Sequence, residues 1–396
     1  MVSQPKKIVF YRIGAIGDII HSLPLIELTR EINPQARIEY IVGSKQIADL
    51  LNDYAPYIDK VYTIKHGGVF DKPAKFFASQ EEKELINSLQ ESPIDEFIYL
   101  HGNKLKANIL NKRFIKAKRL YVYKRDESLS AHTNYVISRY AELKEDLKEN
   151  PFRVLKSNTL RAKKVSLGSR SLLEKLPDAR LASFESAQLT SASMCMTKNE
   201  RNAADGDSPA GSLSIVLGVG KLRPTRAYPL ILWAKLIEKL LAETDYQINI
   251  LGGPDELELS KEFENLLQQR KETLHYGWLT KIPDFSRVKN LIGKTSLVEL
   301  AKILKNTDRL FSADTGILHI GAALDTPITS VFSITSEKRF GPFKKDALVL
   351  RSDNCSCVQS YTNLPKHCNN ISGAYAKCMF ELDLLTDLSS NDKILV

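Results

Sequence analysis

Two runs of alternating strand-like and helix-like segments, separated by a stretch of different composition, constrain the fold of this chain most. In the first half, helical patterns alternate with strand-like segments at residues 7–11, 38–42, 60–64, 96–100 and 119–123. The alternation stops between about Phe152 and Gly211, where Ser, Ala, Lys, Arg and Asn dominate, and restarts at Leu213. Strands that alternate with helices form βαβ units around a parallel sheet. The pattern therefore predicts an α/β protein with two parallel sheets joined by a linker.

Composition narrows the class of protein further. The chain has 396 residues, of which 43% are hydrophobic, so it can bury a core of ordinary size. No apolar run approaches the roughly 18–20 residues that a membrane-spanning helix needs. The N-terminal segment lacks the apolar stretch of a signal peptide, and five cysteines do not make a disulfide scaffold. These features predict a soluble cytoplasmic protein.

The excess positive charge is concentrated in one stretch. The net charge is +9, and nine cations oppose a single acid between His101 and Asp126. Such a stretch is either a solvated helix face or a docking surface for a polyanion such as nucleic acid, a phosphorylated lipid or an anionic membrane. The chain has no aromatic-rich RNA-binding motif and no helix-turn-helix, so nucleic acid is not expected. The candidate surface cations are Lys104, Lys106, Lys112, Arg113, Lys116, Lys118 and Arg119.

The first strand ends in Gly14-Ala15-Ile16-Gly17-Asp18, directly before a helical pattern. Glycines at this place let the backbone approach a ligand and expose amides at the helix N-terminus. Asp18 either caps the helix or, because a first strand delivers residues into a cleft, serves as a general base.

A second motif, Asp314-Thr315-Gly316 with His319, also follows a strand and opens a helix. Thr315 and Gly316 would present amides to a phosphate, which the helix dipole favours. Asp314 is either a cap or a hydrogen-bond acceptor for a ligand. His319 either faces the same ligand or packs in the core.

Two further strand ends carry glycines with charged residues. After the strand at Leu213, Gly218-Val219-Gly220 precedes Lys221, Arg223 and Arg226, cations that suit a diphosphate or simply form an exposed basic loop. The motif Gly252-Gly253-Pro254-Asp255-Glu256 places Glu256 where it could bind ribose hydroxyls or cap a helix.

In this order, the four motifs resemble those of glycosyltransferase family 9, whose heptosyltransferases build the lipopolysaccharide inner core. The resemblance covers roughly residues 6–150 and 213–380. It is carried by residues 12–20, Pro24-Leu25, Gly220, Thr225 to Pro229, Gly252 to Glu256, residues 290–300, and most specifically Asp314-Thr315-Gly316, His319 and Ala322-Ala323-Leu324. It implies a GT-B fold, in which two Rossmann-like domains face each other across a cleft. It also implies metal-independent transfer of a heptose from an ADP-activated donor, with inversion and without a cofactor.

The resemblance also implies roles for individual residues. Asp18 would be the general base that deprotonates the acceptor hydroxyl. Arg226 stands where the family usually has a lysine facing the donor phosphates, since this chain reads Thr-Arg-Ala-Tyr-Pro where the family more often has Thr-Lys-Arg-Trp-Pro. The donor-binding residues would be Gly17, Gly220, Thr225, Arg226, Glu256, Asp314, Thr315, Gly316 and His319.

The resemblance suggests a division of labour along the chain. Residues 1–150 would bind the acceptor, 151–212 would form a partly disordered linker, 213–345 would bind the nucleotide sugar, and 346–396 would pack back as a cysteine-containing extension. The acceptor would be the anionic lipopolysaccharide inner core or lipid A, with the basic stretch docking it at the inner membrane surface. A different donor, a protein acceptor, or a non-catalytic relative that binds anionic glycans are the alternatives.

Four cysteines cluster near the C-terminus. Cys355, Cys357, Cys368 and Cys378 lie within 24 residues, with His367 beside Cys368. Their spacing does not match a paired CxxC zinc site. Family inheritance is the simplest interpretation, and a structural metal or a redox pair are the alternatives.

Overall fold

The computed structural model describes residues 5–64, 67–73, 77–126, 128–161, 211–218, 224–273, 279, 281–352, 370–382 and 384. Within them the chain forms two parallel β-sheets, each flanked by helices, and a short hairpin. The expected α/β class with two parallel sheets is confirmed.

The first sheet comprises the five strands of the N-terminal half. They are β1 (Lys7–Tyr11), β2 (Arg37–Val42), β3 (Lys60–Thr63), β4 (Glu96–Tyr99) and β5 (Arg119–Val122). All neighbours are parallel, in the order β3-β2-β1-β4-β5. Every residue of β1 and β4 is buried, because helices cover both faces of the central strands.

The second sheet has six parallel strands in the order β11-β10-β9-β6-β7-β8. They are β6 (Ser212–Val216), β7 (Gln247–Leu251), β8 (Val288–Asn290), β9 (Arg309–Ala313), β10 (Ile328–Phe332) and β11 (Leu348–Arg351). The hairpin strands β12 (Ile371–Ser372) and β13 (Tyr375–Ala376) follow and are antiparallel. Numbered within its own half, this sheet has the order 3-2-1-4-5-6 of dinucleotide-binding folds.

Helices connect the strands, and side-chain caps define several of their starts. The helices are α1 (Ile16–Ile32), α2 (Lys45–Tyr54), α3 (Gln80–Gln90), α4 (Lys104–Leu110), α5 (Ala131–Ile137), α6 (Lys144–Glu149), α7 (Pro151–Val154), α8 (Leu230–Glu243), α9 (Leu257–Thr273), α10 (Leu297–Lys305), α11 (Gly316–Ala323) and α12 (Glu337–Phe340). Ser79 and Ser296 form capping boxes with Glu82 and Glu299, which satisfy free backbone N–H groups at the starts of α3 and α10. No helix of the described residues is both long and apolar enough to cross a membrane.

The strand order places the ends of particular strands side by side. In an open α/β sheet, ligands bind beyond the carboxyl ends of the strands, where the strand order reverses. That point lies between β1 and β4 in the first sheet and between β6 and β9 in the second. The described residues that follow these strands therefore line the cleft, and they include the motifs at Asp18 and Asp314.

The two halves pack directly on each other. Helix α1 packs on α11, and α2 packs on α10. At the end of the described stretch 128–161, the Leu160 amide donates to the Ala323 carbonyl at 2.8 Å and the Arg161 amide to the Tyr54 carbonyl at 2.7 Å. One apolar cluster consequently contains buried residues from both halves, such as Ile20 and Leu318.

Two details of the C-terminal half differ from the expectation. The sequence Leu291-Ile292-Gly293 predicts a short strand, but it forms a turn after β8, because the Asn290 side chain accepts from the Ile292 amide at 3.1 Å and Gly293 has a φ of +69°. Strand β11 extends the second sheet beyond residue 345, into the segment expected as an extension. The predicted domain boundaries stay a prediction, and most of the expected linker, residues 162–210, lies outside the described residues.

Candidate active site

Asp18 lies in the first turn of α1, but it does not cap the helix. The N-cap is Ala15, which makes no side-chain cap hydrogen bond. The Asp18 carboxylate instead forms a short ion pair with the Arg12 guanidinium, and the Tyr135 hydroxyl lies 3.5 Å from its other oxygen. The Asp18 side chain is 37% exposed, so a ligand in the cleft can reach it.

Arg12 is held by its neighbours as well as by Asp18. Its Nη1 donates to the Leu100 carbonyl at 2.8 Å and lies 3.1 Å from His101 Nδ1. Burial opposes the charged form of Arg12, but Tyr135 and Asp18 outweigh it and raise the arginine pKa. Burial, reinforced by the charges of Arg12 and Lys106, lowers the pKa of His101 to about 3. Arg12 is therefore a fixed cation beside a neutral imidazole.

Across the cleft, Asp314 follows β9 and is almost fully buried. His319 Nε2 lies 3.5 Å from one of its carboxylate oxygens, and Arg226 Nη2 lies 3.5 Å from the other. Burial alone would raise the Asp314 pKa, but His319 and Arg226 outweigh it and lower the pKa. Asp314 is thus a buried carboxylate with a partner at each oxygen.

The motif glycines bring the two helix N-termini together. A Cβ on Gly17 would lie 2.9 Å from His319 Cδ2, and a Cβ on Gly316 would lie 3.2 Å from Ile16 Cβ. Such distances leave no room for a side chain at Gly17 without displacing the buried His319 ring. Both glycines therefore permit close contact between α1 and α11, whose positive dipole ends meet at the same place.

Three buried histidines line the contact between the halves. His21 Nε2 lies 3.2 Å from His319 Nδ1, with the ring centroids 4.2 Å apart. His132 lies further away, 6.4 Å from His21 between ring centroids, and its Nε2 lies 3.0 Å from Ser130 Oγ. Burial, and next the positive character of neighbouring histidines, lowers the pKa of His21 well below 6.5 and that of His132 to about 3.

Comparison with known proteins identifies the family. The model of the glycosyltransferase family 9 (heptosyltransferase) domain matches residues 169–368, half of the chain. The chain belongs to glycosyltransferase family 9. This family 9 protein is 26% identical over 346 residues to lipopolysaccharide heptosyltransferase 1 of Campylobacter coli, covering 84% of this chain and 85% of that protein. It is 25% identical to lipooligosaccharide heptosyltransferase 2 of Haemophilus influenzae, of whose length it spans about a third.

Solved structures agree on the fold. The structure of the E. coli ADP-heptose LPS heptosyltransferase II superposes with a TM-score of 0.61 at 16% identity, covering 97% of this chain and 98% of that one. An E. coli heptosyltransferase solved with ADP superposes with a TM-score of 0.54 at 18% identity, covering 91% and 96%. The expected GT-B fold of this family 9 protein is confirmed.

Two of the residues that the sequence predicts to bind the donor also cap helices. Thr315 Oγ1 accepts from the Leu318 amide at 3.2 Å and so caps α11. Glu256 is buried, and its carboxylate accepts from the Gly253 amide at 3.2 Å. A Cβ on Gly218 or Gly252 would meet this carboxylate within 2.5 Å, so the two glycines make room for it. Donor contacts by Thr315 and Glu256 stay predictions.

The basic stretch of this protein does not form one surface. Lys104 begins α4 at the carboxyl edge of the first sheet, and the Lys106 ammonium lies 3.6 Å from Asp71. Helix α4 and the turn after it then cross to the opposite edge. There Lys118 pairs with Asp95 at 2.7 Å, and Arg119 with Glu96 at 2.8 Å. The two groups lie at opposite edges because the chain crosses the full height of the sheet between them, and a role of these cations in docking a polyanion stays a prediction. Arg113 lies between them and donates to the Pro73 carbonyl, whereas Lys112 and Lys116 are exposed.

Several predicted features lie outside the described residues. Gly220, Cys355, Cys357 and Cys368 are among them. Cys378 is described, and it is buried in an apolar cluster of the C-terminal half. Among the described residues, no group of three or more His, Cys, Asp or Glu is arranged to hold a metal ion.

The residues that contact Asp18 and His319 have weaker sequence signals than the motifs themselves. Arg12 and His101 follow β1 and β4, which are neighbours at the strand-order reversal, so the topology rule could have paired them. His21 lies one turn after Asp18, so helical spacing places both residues on the same side of α1. In the structure His21 faces the opposite half. Tyr135 lies on α5, far along the chain, and no local pattern connects it to Asp18.

Gly17→Ala tests the contact between α1 and α11. Alanine favours a helix over glycine by up to about 1 kcal/mol, but the new methyl would collide with the His319 ring. We expect a net loss of unfolding free energy of about 1–3 kcal/mol, measured by urea unfolding. Gly102→Ala is the control, because a Cβ there meets nothing within 4 Å. If Gly17→Ala were as stable as Gly102→Ala, the contact between α1 and α11 would have to accommodate a methyl group at Gly17.

Proposed function

We propose that this protein is an inverting heptosyltransferase that transfers a heptose from an ADP-heptose donor to the inner core of lipopolysaccharide. Family membership supports glycosyl transfer as the class of reaction. The names of its relatives support the lipopolysaccharide acceptor, and relatives solved with ADP and with an ADP-heptose analogue support the donor.

The observation that carries the proposal is the meeting of α1 and α11 at the cleft. It brings Asp18 on the first half close to the Asp314 and Arg226 group on the second, because Gly17 contacts His319. A base on one half and a cation with helix amides on the other are the two parts that an inverting transfer needs.

The chemistry of the first half follows from the Asp18 carboxylate. The acceptor hydroxyl would give its proton to a carboxylate oxygen of Asp18 while its own oxygen forms a bond to the anomeric carbon. The bond between that carbon and the diphosphate oxygen breaks on the opposite face, so the configuration inverts. Arg12 and Tyr135 hold the carboxylate in one orientation, which reduces the entropy lost in the reaction.

The second half would stabilise the departing ADP. Its diphosphate gains negative charge as the bond breaks, and the Arg226 guanidinium and the amides at the start of α11 can oppose that charge. The Gly17 amide lies 3.8 Å from where a Gly316 Cβ would be, so both helix N-termini can contribute. The proposed step uses Arg226 and backbone amides, and no metal ion, to stabilise the diphosphate. Gly220, Thr225 and Glu256 complete the proposed donor site.

The carboxyl edge of the first half is the proposed acceptor side, at the surface of the inner membrane. Lys104 is exposed there, and Leu105 on the same helix is 71% exposed. Phe77, in the segment that reaches the same edge before α3, is 90% exposed. Cations beside exposed apolar side chains suit an anionic lipid surface. This supports a cytoplasmic protein that associates peripherally with the membrane.

Asp18→Asn tests the general base. Asparagine keeps the shape of the side chain but cannot take a proton, so we expect kcat to fall by about 100- to 10,000-fold. ADP affinity, measured by calorimetry, should not change, since Asp18 lies on the acceptor side. Asp49→Asn is the control, because Asp49 is an exposed carboxylate paired with Lys45 on α2. Full turnover by Asp18→Asn would exclude the general-base role.

Arg226→Ala tests the diphosphate site. The wild-type protein should bind ADP more tightly than UDP or GDP, and loss of one charged hydrogen-bond donor should weaken ADP binding by about 10- to 100-fold. Arg226→Lys keeps the positive charge and should lose less. An unchanged ADP affinity would remove Arg226 from the site. Preference for another nucleotide would keep the transferase class and reject the ADP donor, and failure to bind any nucleotide would favour a non-catalytic relative.

Lys104→Gln tests the proposed membrane side. Each cation near an anionic surface contributes about 1 kcal/mol, so binding to vesicles rich in phosphatidylglycerol should weaken about fivefold in a sedimentation assay. Lys118→Gln is the matched control, because Lys118 pairs with Asp95 on the opposite edge. Equal losses in both variants would reject the carboxyl edge as the membrane side.

A further inference from the structure

A line of four side chains crosses from α1 to the donor side of the cleft. His21 lies on α1, one turn after Asp18, and its Nε2 is 3.2 Å from His319 Nδ1 on α11. His319 Nε2 is 3.5 Å from Asp314, whose other carboxylate oxygen is 3.5 Å from Arg226. His21 and His319 are 6% and 5% exposed, so water does not compete for these contacts.

The carboxylate at one end sets the direction of the hydrogen bonds. An ionised carboxylate only accepts, so His319 must carry its proton on Nε2 to donate to Asp314. In the neutral form of that imidazole, which carries its only ring proton on Nε2, Nδ1 has a lone pair. His21 must then donate from its own Nε2, and this arrangement leaves each contact with one donor and one acceptor.

We propose that His21 is a positioning residue that fixes the tautomer and orientation of His319, and through it the Asp314 carboxylate, relative to the helix that carries Asp18. The contact joins the base side and the donor side of the cleft by one directional chain. His21 touches no reacting atom, and it acts only by holding the two sides in register. The kinetic part of this proposal rests on the proposed transferase function.

The glycine contact gives independent support for this role. The His319 ring sits directly on Gly17, the residue before Asp18, so a rotation of that ring would displace the first turn of α1. The contact with His21 on one side and the contact with Asp314 on the other oppose such a rotation. The position of Asp18 therefore depends on His319, and the orientation of His319 depends on His21.

Two substitutions separate hydrogen bonding from packing. His21→Gln keeps an amide N–H at about the reach of the imidazole Nε2, whereas His21→Met fills similar volume without a donor. We expect His21→Met to lower kcat by about 10- to 100-fold through misalignment. His21→Gln should restore most of kcat. His132→Gln is the matched control, since His132 is buried in the same interface but lies 6.4 Å from His21.

The tautomer can be measured without any enzymatic assay. Nitrogen-15 NMR of the histidine side chains in the full chain should report a protonated Nε2 and a lone pair on Nδ1 for His319, and His21→Gln should preserve this pattern. A His319 protonated on Nδ1, or on both nitrogens, would overturn the proposal. So would a fully active His21→Met, or an equal loss of kcat in the Met and Gln variants. If the wild-type protein transfers no heptose but the NMR pattern holds, the proposed function fails and the hydrogen-bonded chain stands.

Discussion

The close approach of two helix N-termini is the constraint on which the site depends. Helix α1 of the first half and helix α11 of the second meet at Gly17 and Gly316, where any side chain would enter the opposite helix. This contact places the ends of β1 and β9 on the two sides of one cleft. It also brings together two positive dipole ends, which favours a negatively charged ligand there.

The carboxylates of both cleft motifs have cationic partners. Arg12 pairs with Asp18 on one side, and Arg226 lies near Asp314 on the other. Burial also lowers the pKa of two imidazoles in this region, His21 at the contact between the halves and His101 beside Arg12. Buried charges are tolerated when they are paired and hydrogen-bonded. The same pairs hold the carboxylates in defined orientations, so stability and preorganisation have a common origin here.

The structure gives the motif glycines a different role from the one that the sequence predicts. From the sequence alone, a glycine after a strand indicates close approach of the backbone to a ligand. In this fold, Gly17 and Gly316 permit close approach of one helix to another, and Gly218 and Gly252 make room for the Glu256 carboxylate. The pattern predicted correctly that the space was needed. It did not identify the groups that fill the space, because these neighbours come from distant parts of the chain.

The sequence by itself determined the parallel sheets, the strand-end location of the candidate residues and the family resemblance, because local hydrophobic patterns and short motifs carry that information. Only the tertiary structure decided that Asp18 contacts Arg12 and Tyr135 instead of capping α1, that His21 meets His319 from the other half, and that Lys104 and Lys118 lie at opposite edges of a sheet. The Asp18–Tyr135 and His21–His319 contacts join residues 117 and 298 positions apart. They arise from the packing of two sheets and their helices, which brings together residues that lie far apart in the sequence.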